Sequence, residues 1–231
     1  MNILITGATK GIGNVIAQNL EGNIFAVGRN IEALKTFPNY FQADISNKED
    51  LIALGDYIEE KEINILINNA GIYYWENSDK LSYDIINQTI NTNLTASLYL
   101  ASRASKNMKN KRFGRIINIG SISGVMGEAG AIAYSASKAG LIGMTKALAL
   151  ELAEYNITIN TINPGWVDTE LGSNSIDDSG FSKDEILETI PQKRFVEPIE
   201  IANLIKYLIS NEAKGITGQS INLCAGLSVG Y

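Results

Sequence analysis

The sequence predicts a doubly wound α/β fold, a seven-stranded parallel sheet with helices on both faces, from three observations. Seven short runs rich in Ile and Val alternate with longer amphipathic segments along the chain. Most of these runs are apolar at consecutive positions, which is the pattern of strands buried on both faces. No repeat, low-complexity run or Pro-rich linker interrupts the alternation, so one domain is expected over residues 1–231.

The elements follow in order. A strand is expected at residues 3–5, running into the turn Thr6-Gly7-Ala8-Thr9-Lys10-Gly11-Ile12-Gly13. A helix at 11–20 comes next, because Ile12, Val15, Ile16 and Leu20 recur at three- and four-residue intervals. Strands at 24–27, 40–43 and 65–67 surround a helix at 48–60. A helix at 83–108 leads into a strand at 115–119, and a helix at 133–154 into a strand at 158–162. A last helix at 198–210 precedes a strand at 220–223. Such an alternation makes βαβ units with right-handed crossovers. The least regular stretch, 168–180, is polar and holds Gly172, Asn174, Asp177, Asp178 and Gly180. It reads as a loop lying over a site as a lid.

Composition narrows the chemistry before any motif is considered. With 45% hydrophobic and 19% charged residues, the 231-residue chain is built to fold around a core. It has no histidine and one cysteine, Cys224. Zinc is therefore not expected, and Ser-His-Asp and Cys-His catalysis are excluded. A proton donor here is Tyr, Lys or a carboxylate. A net charge of −6 argues against nucleic acid as a partner. The densest basic stretch, 106–115, holds five Lys/Arg broken by Asn, Met, Phe and Gly. It reads either as a solvated helix end or as a partner-docking patch. No run of 18 apolar residues exists, so no membrane helix is expected. The first residues lack a basic flank and a cleavage site, and a cytoplasmic location is expected.

The glycine turn follows the first strand and opens the first helix. Glycines there permit a tight turn and close approach of backbone to a pyrophosphate, and a helix N-terminus offers N–H groups to phosphate. The spacing Gly-x3-Gly-x-Gly differs from both Gly-x-Gly-x2-Gly and the Walker A loop, and a plain strand-to-helix turn accounts for the glycines taken alone. At the end of the second strand, where an acidic residue would hold a ribose 2′-hydroxyl, stand Gly28 and Arg29. A guanidinium suits a 2′-phosphate, and Lys10 adds a second cation, so NADP(H) is favoured over NAD(H). The plainer reading makes both residues surface cations.

Tyr134 and Lys138 lie four residues apart, on one face of the expected helix. An ammonium beside a phenol lowers its pKa, and a three-unit shift takes about 4 kcal/mol. Tyr-x3-Lys also arises by chance in many helices. Ser121 closes the preceding strand, where open α/β sheets bind ligands, and its hydroxyl suits a developing oxyanion.

Together these residues resemble the short-chain dehydrogenase/reductase family over essentially the whole chain. Thr6–Gly13 looks like its cofactor motif, with Gly7, Thr9, Lys10, Gly11, Ile12 and Gly13 at the cofactor. Asp44-Ile45 resembles its adenine-contacting pair, and Asn68-Asn69-Ala70-Gly71 its fourth-strand motif. Asn93 falls at its catalytic asparagine, and Ser121, Tyr134 and Lys138 match its other catalytic residues. Asn163-Pro164-Gly165-Trp166-Val167-Asp168-Thr169 resembles its nicotinamide-contacting segment.

The resemblance implies a Rossmann-like fold and an oxidoreductase acting on a CH–OH/C=O pair. It implies that Tyr134 gives a proton to the carbonyl oxygen, that Lys138 tunes Tyr134 and holds the nicotinamide ribose, and that Ser121 orients the substrate. It further implies that Asn93 anchors a water leading to Lys138, and that Val167 and Thr169 hold the carboxamide. A homotetramer or homodimer built through the two long helices is implied as well. Within the family the similarity is greatest to 3-oxoacyl-acyl-carrier-protein reductases, in residues 114–121, 138–143 and 216–219. There are departures: 151–155 is acidic to neutral where those enzymes often carry basic residues for their carrier, although Lys111 and Arg112 remain. Cys224-Ala225-Gly226 replaces the usual Asp-Gly-Gly or Asn-Gly-Gly, and the 29–39 connection is short. The expected substrate is a 3-oxoacyl thioester on acyl carrier protein or CoA. The alternatives are a sugar, polyol or secondary-metabolite ketone and, from a different class, a non-catalytic NADP-binding sensor.

Overall fold

The seven apolar runs pair in register as one all-parallel sheet in the computed structural model, which describes residues 1–229. The strands are β1 (Asn2–Thr6), β2 (Asn23–Gly28), β3 (Asn39–Gln42), β4 (Ile65–Asn68), β5 (Gly114–Ile119), β6 (Ile157–Pro164) and β7 (Ser220–Leu223). Their order across the sheet is β3-β2-β1-β4-β5-β6-β7. The winding direction reverses between β1 and β4, the switch point at which such sheets open a crevice beyond their carboxyl ends.

The helices are α1 (Gly11–Asn19), α2 (Ile31–Leu34), α3 (Lys48–Glu60), α4 (Tyr83–Ile90), α5 (Ala96–Lys111), α6 (Ser123–Met126), α7 (Ile132–Leu152), α8 (Glu170–Ser179), α9 (Lys183–Thr189) and α10 (Pro198–Leu208). Successive strand residues point to opposite faces, so Ile3 and Ile5 pack with Ile16 of α1 and Ile201, Ile205 and Leu208 of α10. On the other face Leu4, Leu66, Ile116 and Ile159 meet Leu54 and Ile58 of α3, Leu100 of α5 and Leu141 of α7. Both faces are thus dry, which is why the central strands read as continuous apolar runs. The edge strands β3 and β7 alternate between half-buried and exposed residues, because one of their faces is wet.

Two sequence expectations are corrected and a third is made more specific. The helix expected at 83–108 is broken by a π-helical turn at Asn91–Thr95, which divides α4 from α5 and carries Asn93. A π turn inserts one residue into the helical register and so re-aims the side chains on its C-terminal side. The stretch 168–180 is no loop. The Thr169 side chain caps α8 by accepting from the Gly172 N–H, and Gly180 ends it in a left-handed conformation. The side chains of Asn174, Asp177 and Asp178 lie outside the described residues. Last, the basic stretch 106–115 keeps partly exposed lysines at the end of α5, in line with the helix-end reading, and these are paired within the chain. Lys106, Lys109 and Lys111 pair with Glu59, Glu151 and Glu62. Arg112 donates to the Glu154 carbonyl, and Arg115 is wholly buried, donating to the Gly114 and Asn156 carbonyls.

A buried polar ladder ties the sheet to α7. Asn68 Nδ2 donates to Asn118 Oδ1 at 2.9 Å, Asn118 Nδ2 to Thr145 Oγ1 at 2.9 Å, and Thr145 shares a 2.7 Å bond with Thr161. Asn68, Asn118 and Thr161 are register neighbours on β4, β5 and β6. Among the described residues Asn68 Oδ1 is left without a partner, but the bonds that are made favour one arrangement of the members. The ladder therefore seats α7, the helix bearing Tyr134 and Lys138, against the sheet. Among the described residues, no helix is long and apolar enough to cross a membrane.

Candidate active site

Every strand of the sheet ends in a segment that borders one cavity of about 540 Å³ or packs beneath it. Gly7, Thr9, Lys10, Gly11 and Ile12 line it after β1, Gly28 at the end of β2 with Arg29 after it, and Asp44 and Ile45 after β3. Asn69, Ala70 and Gly71 line it after β4, Ser121 after β5, and Gly165, Val167 and Thr169 after β6, with Pro164 at that strand's end. Tyr134 and Lys138 of α7 complete the wall.

The glycine turn is held by the neighbouring strand end. Thr6 Oγ1 accepts from the Asn69 and Ala70 N–H groups at 3.0 Å each, and Asn69 Nδ2 donates to the Thr6 and Gly7 carbonyls. Gly13 does not line the cavity. A Cβ there would stand 2.2 Å from the Gly7 carbonyl oxygen, so its role is to let α1 close onto the turn. Gly11 has φ +54, and a Cβ built on it meets nothing nearer than Thr169, 3.8 Å away, so the backbone lies bare toward the cavity. Among the described residues no side chain caps the N-terminus of α1, which leaves its first N–H groups available to an anion. This cradle and the uncapped helix fit a dinucleotide pyrophosphate.

At the end of β2, a Cβ on Gly28 would already meet the Thr9 side chain at 3.2 Å. Arg29 follows Gly28, loosely paired with Asp44 at 3.8 Å and largely exposed. Burial alone would raise the Asp44 carboxyl, but hydrogen bonds from Ser46 and the Arg29 charge outweigh it and hold the pKa below the usual range. Lys10 has a partner that the sequence did not reveal. Its ammonium lies 2.8 Å from Glu170 Oε2, bridging the glycine turn to the first residue of α8.

At the other end of the cavity the Ser121 hydroxyl is hydrogen-bonded to the Tyr134 phenol. The Lys138 ammonium lies 5.5 Å from the Tyr134 ring centroid and donates to the Ile119 carbonyl at 2.7 Å. The expected lowering of the phenol is reversed among these groups. Burial pushes Tyr134 up to about 12, with the Ser121 bond opposing and the Glu128 charge adding to the rise. Burial also brings Lys138 down to about 8. Asn93 is not on the cavity wall. Its Oδ1 accepts from the Ile72 N–H at 2.9 Å, and its Nδ2 donates to the Ile72 carbonyl and to Ser137 Oγ. It clamps the 71–72 backbone to α7, beside the Lys138 ammonium.

A family model described as enoyl-(acyl carrier protein) reductase matches residues 7–228. The chain belongs to the short-chain dehydrogenase/reductase family. Among its relatives, nodulation protein G of Rhizobium sp. (strain N33) is 37% identical over 98% of this chain and 96% of that protein. The 3-oxoacyl-[acyl-carrier-protein] reductase FabG of Buchnera aphidicola is 37% identical over 97% and 96%. The crystal structure of an actinorhodin polyketide ketoreductase variant with NADPH superimposes with a TM-score of 0.93 at 34% identity, covering 100% of this chain and 97% of the other.

Several residues of this short-chain dehydrogenase/reductase site were not anticipated from sequence. Tyr73, Ser123 and Glu128 line the cavity beside Ser121, and Ser137 supports Asn93 from α7. Glu128 left one signal, as the single charged residue between Ser121 and Tyr134. The apolar groups of the 166–190 region divide in two. Trp166, Leu171 and Phe181 border the cavity. Ile186 and Ile190, with Ile176 and Leu187 packed against them, join Ile122, Cys224 and Leu227 in a small core of their own.

Proposed function

We propose that this protein reduces a ketone to a secondary alcohol with NADPH, and that the ketone is a 3-oxoacyl thioester. One observation carries the reading. The glycine cradle and the Ser121–Tyr134–Lys138 group open onto the same cavity, so a dinucleotide held by the first would end at the second. The names of the relatives, 3-oxoacyl reductases and a ketoreductase, point to the same chemistry.

Gly7, Thr9, Gly11 and Ile12 would hold the pyrophosphate, Arg29 the 2′-phosphate, and Asp44 and Ile45 the adenine. Asn69, Ala70, Pro164, Gly165, Val167 and Thr169 would border the rest of the dinucleotide. NADPH, when bound, supplies hydride. Tyr134, protonated at neutral pH because its pKa stands near 12, gives its proton to the substrate oxygen. Ser121 keeps that phenol and the oxygen in line. Lys138, with a pKa near 8, is largely charged at neutral pH and stabilises negative charge passing through Tyr134. Trp166, Leu171 and Phe181 offer an acyl chain an apolar wall.

A carrier protein would find Lys106, Lys109 and Lys111 already paired, so a CoA or pantetheine thioester suits this surface as well as a carrier does. Assembly through the long helices fits the exposed Leu98 of α5 and Leu150 of α7. A cytoplasmic location suits NADPH chemistry.

The test is NADPH oxidation with acetoacetyl thioesters, sugar ketones and simple diketones. Thioester turnover is expected. Turnover of sugars or diketones alone would replace the substrate class, and NADPH binding without any turnover would favour a sensor. Arg29→Ala is expected to raise KM for NADPH about tenfold or more while leaving NADH use nearly unchanged, the loss of one charge-assisted contact. An unchanged cofactor preference would remove Arg29 from the 2′-phosphate.

A further inference from the structure

The Glu128 carboxylate sits on the substrate side of the cavity, held at both oxygens. Tyr73 donates its phenol proton to Oε1 at 2.8 Å, and Ser123 donates to Oε2 at 2.6 Å. Ser123 Oγ accepts from Ser121 Oγ at 3.1 Å, so the carboxylate stands two hydrogen bonds from the residue that aligns the substrate oxygen. It is tied to Tyr134 by a second route, since the Tyr73 ring packs edge-on against the Tyr134 ring at 5.0 Å. Both partners are hydroxyls, and no Lys or Arg pairs with Glu128 among the described residues. A carboxylate offers about four acceptor sites, and these bonds use two. What remains is a negative charge with spare acceptor capacity, in a cavity also lined by the apolar Trp75, Met126 and Phe181.

Such a group does two things to a ligand. It accepts a hydrogen bond from an N–H or O–H that comes within reach, and it repels a second carboxylate in surroundings that screen charge less than water does. A 3-oxo acid carries its carboxylate two bonds from the ketone carbon. With the ketone oxygen at Ser121 and Tyr134, that charge cannot be held far from Glu128. In the thioester the charge is gone, and the pantetheine arm brings amide N–H donors.

We propose that Glu128 is a specificity-determining residue, admitting the thioester of a 3-oxo acid and rejecting the free acid. This rests on the ketone-reductase reading of the same site. Tyr73 and Ser123 act as positioning residues that keep the carboxylate turned to the substrate.

The experiment compares wild type, Glu128→Gln and Glu128→Asp on three ketones: the acetoacetyl thioester of N-acetylcysteamine, ethyl acetoacetate and acetoacetate. Each pair is measured twice, as kcat/KM by NADPH oxidation and as binding by calorimetry, with thermal melts to verify folding. Wild type is expected to prefer the thioester strongly. Glu128→Gln should narrow the thioester-to-acid ratio by about tenfold or more, through a lower KM for acetoacetate and a higher one for the thioester. Ethyl acetoacetate, neutral and without a donor, should change least, and Glu128→Asp should retain the discrimination. Turnover of the thioester with a ratio unchanged in Glu128→Gln would overturn the assignment of Glu128 alone. Absence of turnover with a binding ratio that still depends on residue 128 would overturn the reductase reading and leave the selection standing.

Discussion

Tyr134→Phe should lower kcat for ketone reduction by roughly 10²–10⁴-fold, the usual weight of a positioned general acid. The effect falls on kcat because the phenol oxygen alone is removed. The ring stays packed edge-on against Tyr73, and nothing in the glycine cradle touches it. NADPH affinity, measured by fluorescence titration, should therefore stay within a few-fold of wild type. A loss below tenfold would mean that another group delivers the proton, and Ser121, already hydrogen-bonded to the phenol, would be the one to replace next.

Lys138→Met should abolish most activity and yet make the protein more stable near pH 7. Lys138 is 4% exposed, and burial lowers its pKa from 10.5 to about 8. Below pH 8 the folded and unfolded chains both bind the proton, and the fold bears the whole cost of burying the charge. Between 8 and 10.5 the unfolded chain binds more protons, so stability rises with pH as the folded lysine loses its charge. Two and a half units correspond to roughly 3 kcal/mol, from which the orphaned Ile119 carbonyl subtracts about 1 kcal/mol in the variant. The melting temperature of Lys138→Met should therefore exceed that of wild type by several degrees at pH 7. The gap should close as pH rises from 8 toward 10.5, where wild type sheds the same cost. Wild-type activity should decline over the same range as the ammonium is lost. A variant less stable than wild type at pH 7 would mean that the Lys138 charge is compensated within the fold.

The helix, the strands and the cradle were legible because each depends on residues close together in the chain. Periodicity of three and four marks α1 from Ile12, Val15 and Ile16, and the short apolar runs Ile65-Leu66-Ile67 and Ile116-Ile117 mark β4 and β5 as buried on both faces. The lid at 168–180 was misread because its Gly, Asn and Asp content resembles a loop. The cap supplied by Thr169 and the packing of Ile176 over Ile186 and Ile190 make it helical instead. The π turn at Asn91–Thr95 has no local signature, since it depends on Asn93 being drawn to Ile72 and Ser137.

Local sequence was enough for the doubly wound sheet, the turn that approaches a dinucleotide and the four-residue spacing that puts Tyr134 and Lys138 on one helix face. Those are properties of short windows, where backbone geometry converts spacing directly into direction. What needed the assembled fold is that Lys10 pairs with Glu170, that Lys106, Lys109 and Lys111 pair with the chain's own carboxylates, and that Glu128 lines the cavity, held by Tyr73 and Ser123. The fold also decided that burial raises Tyr134 and lowers Lys138. Charge, solvation and hydrogen bonding act through space over a few ångströms, and the groups that set them come from strand ends tens of residues apart.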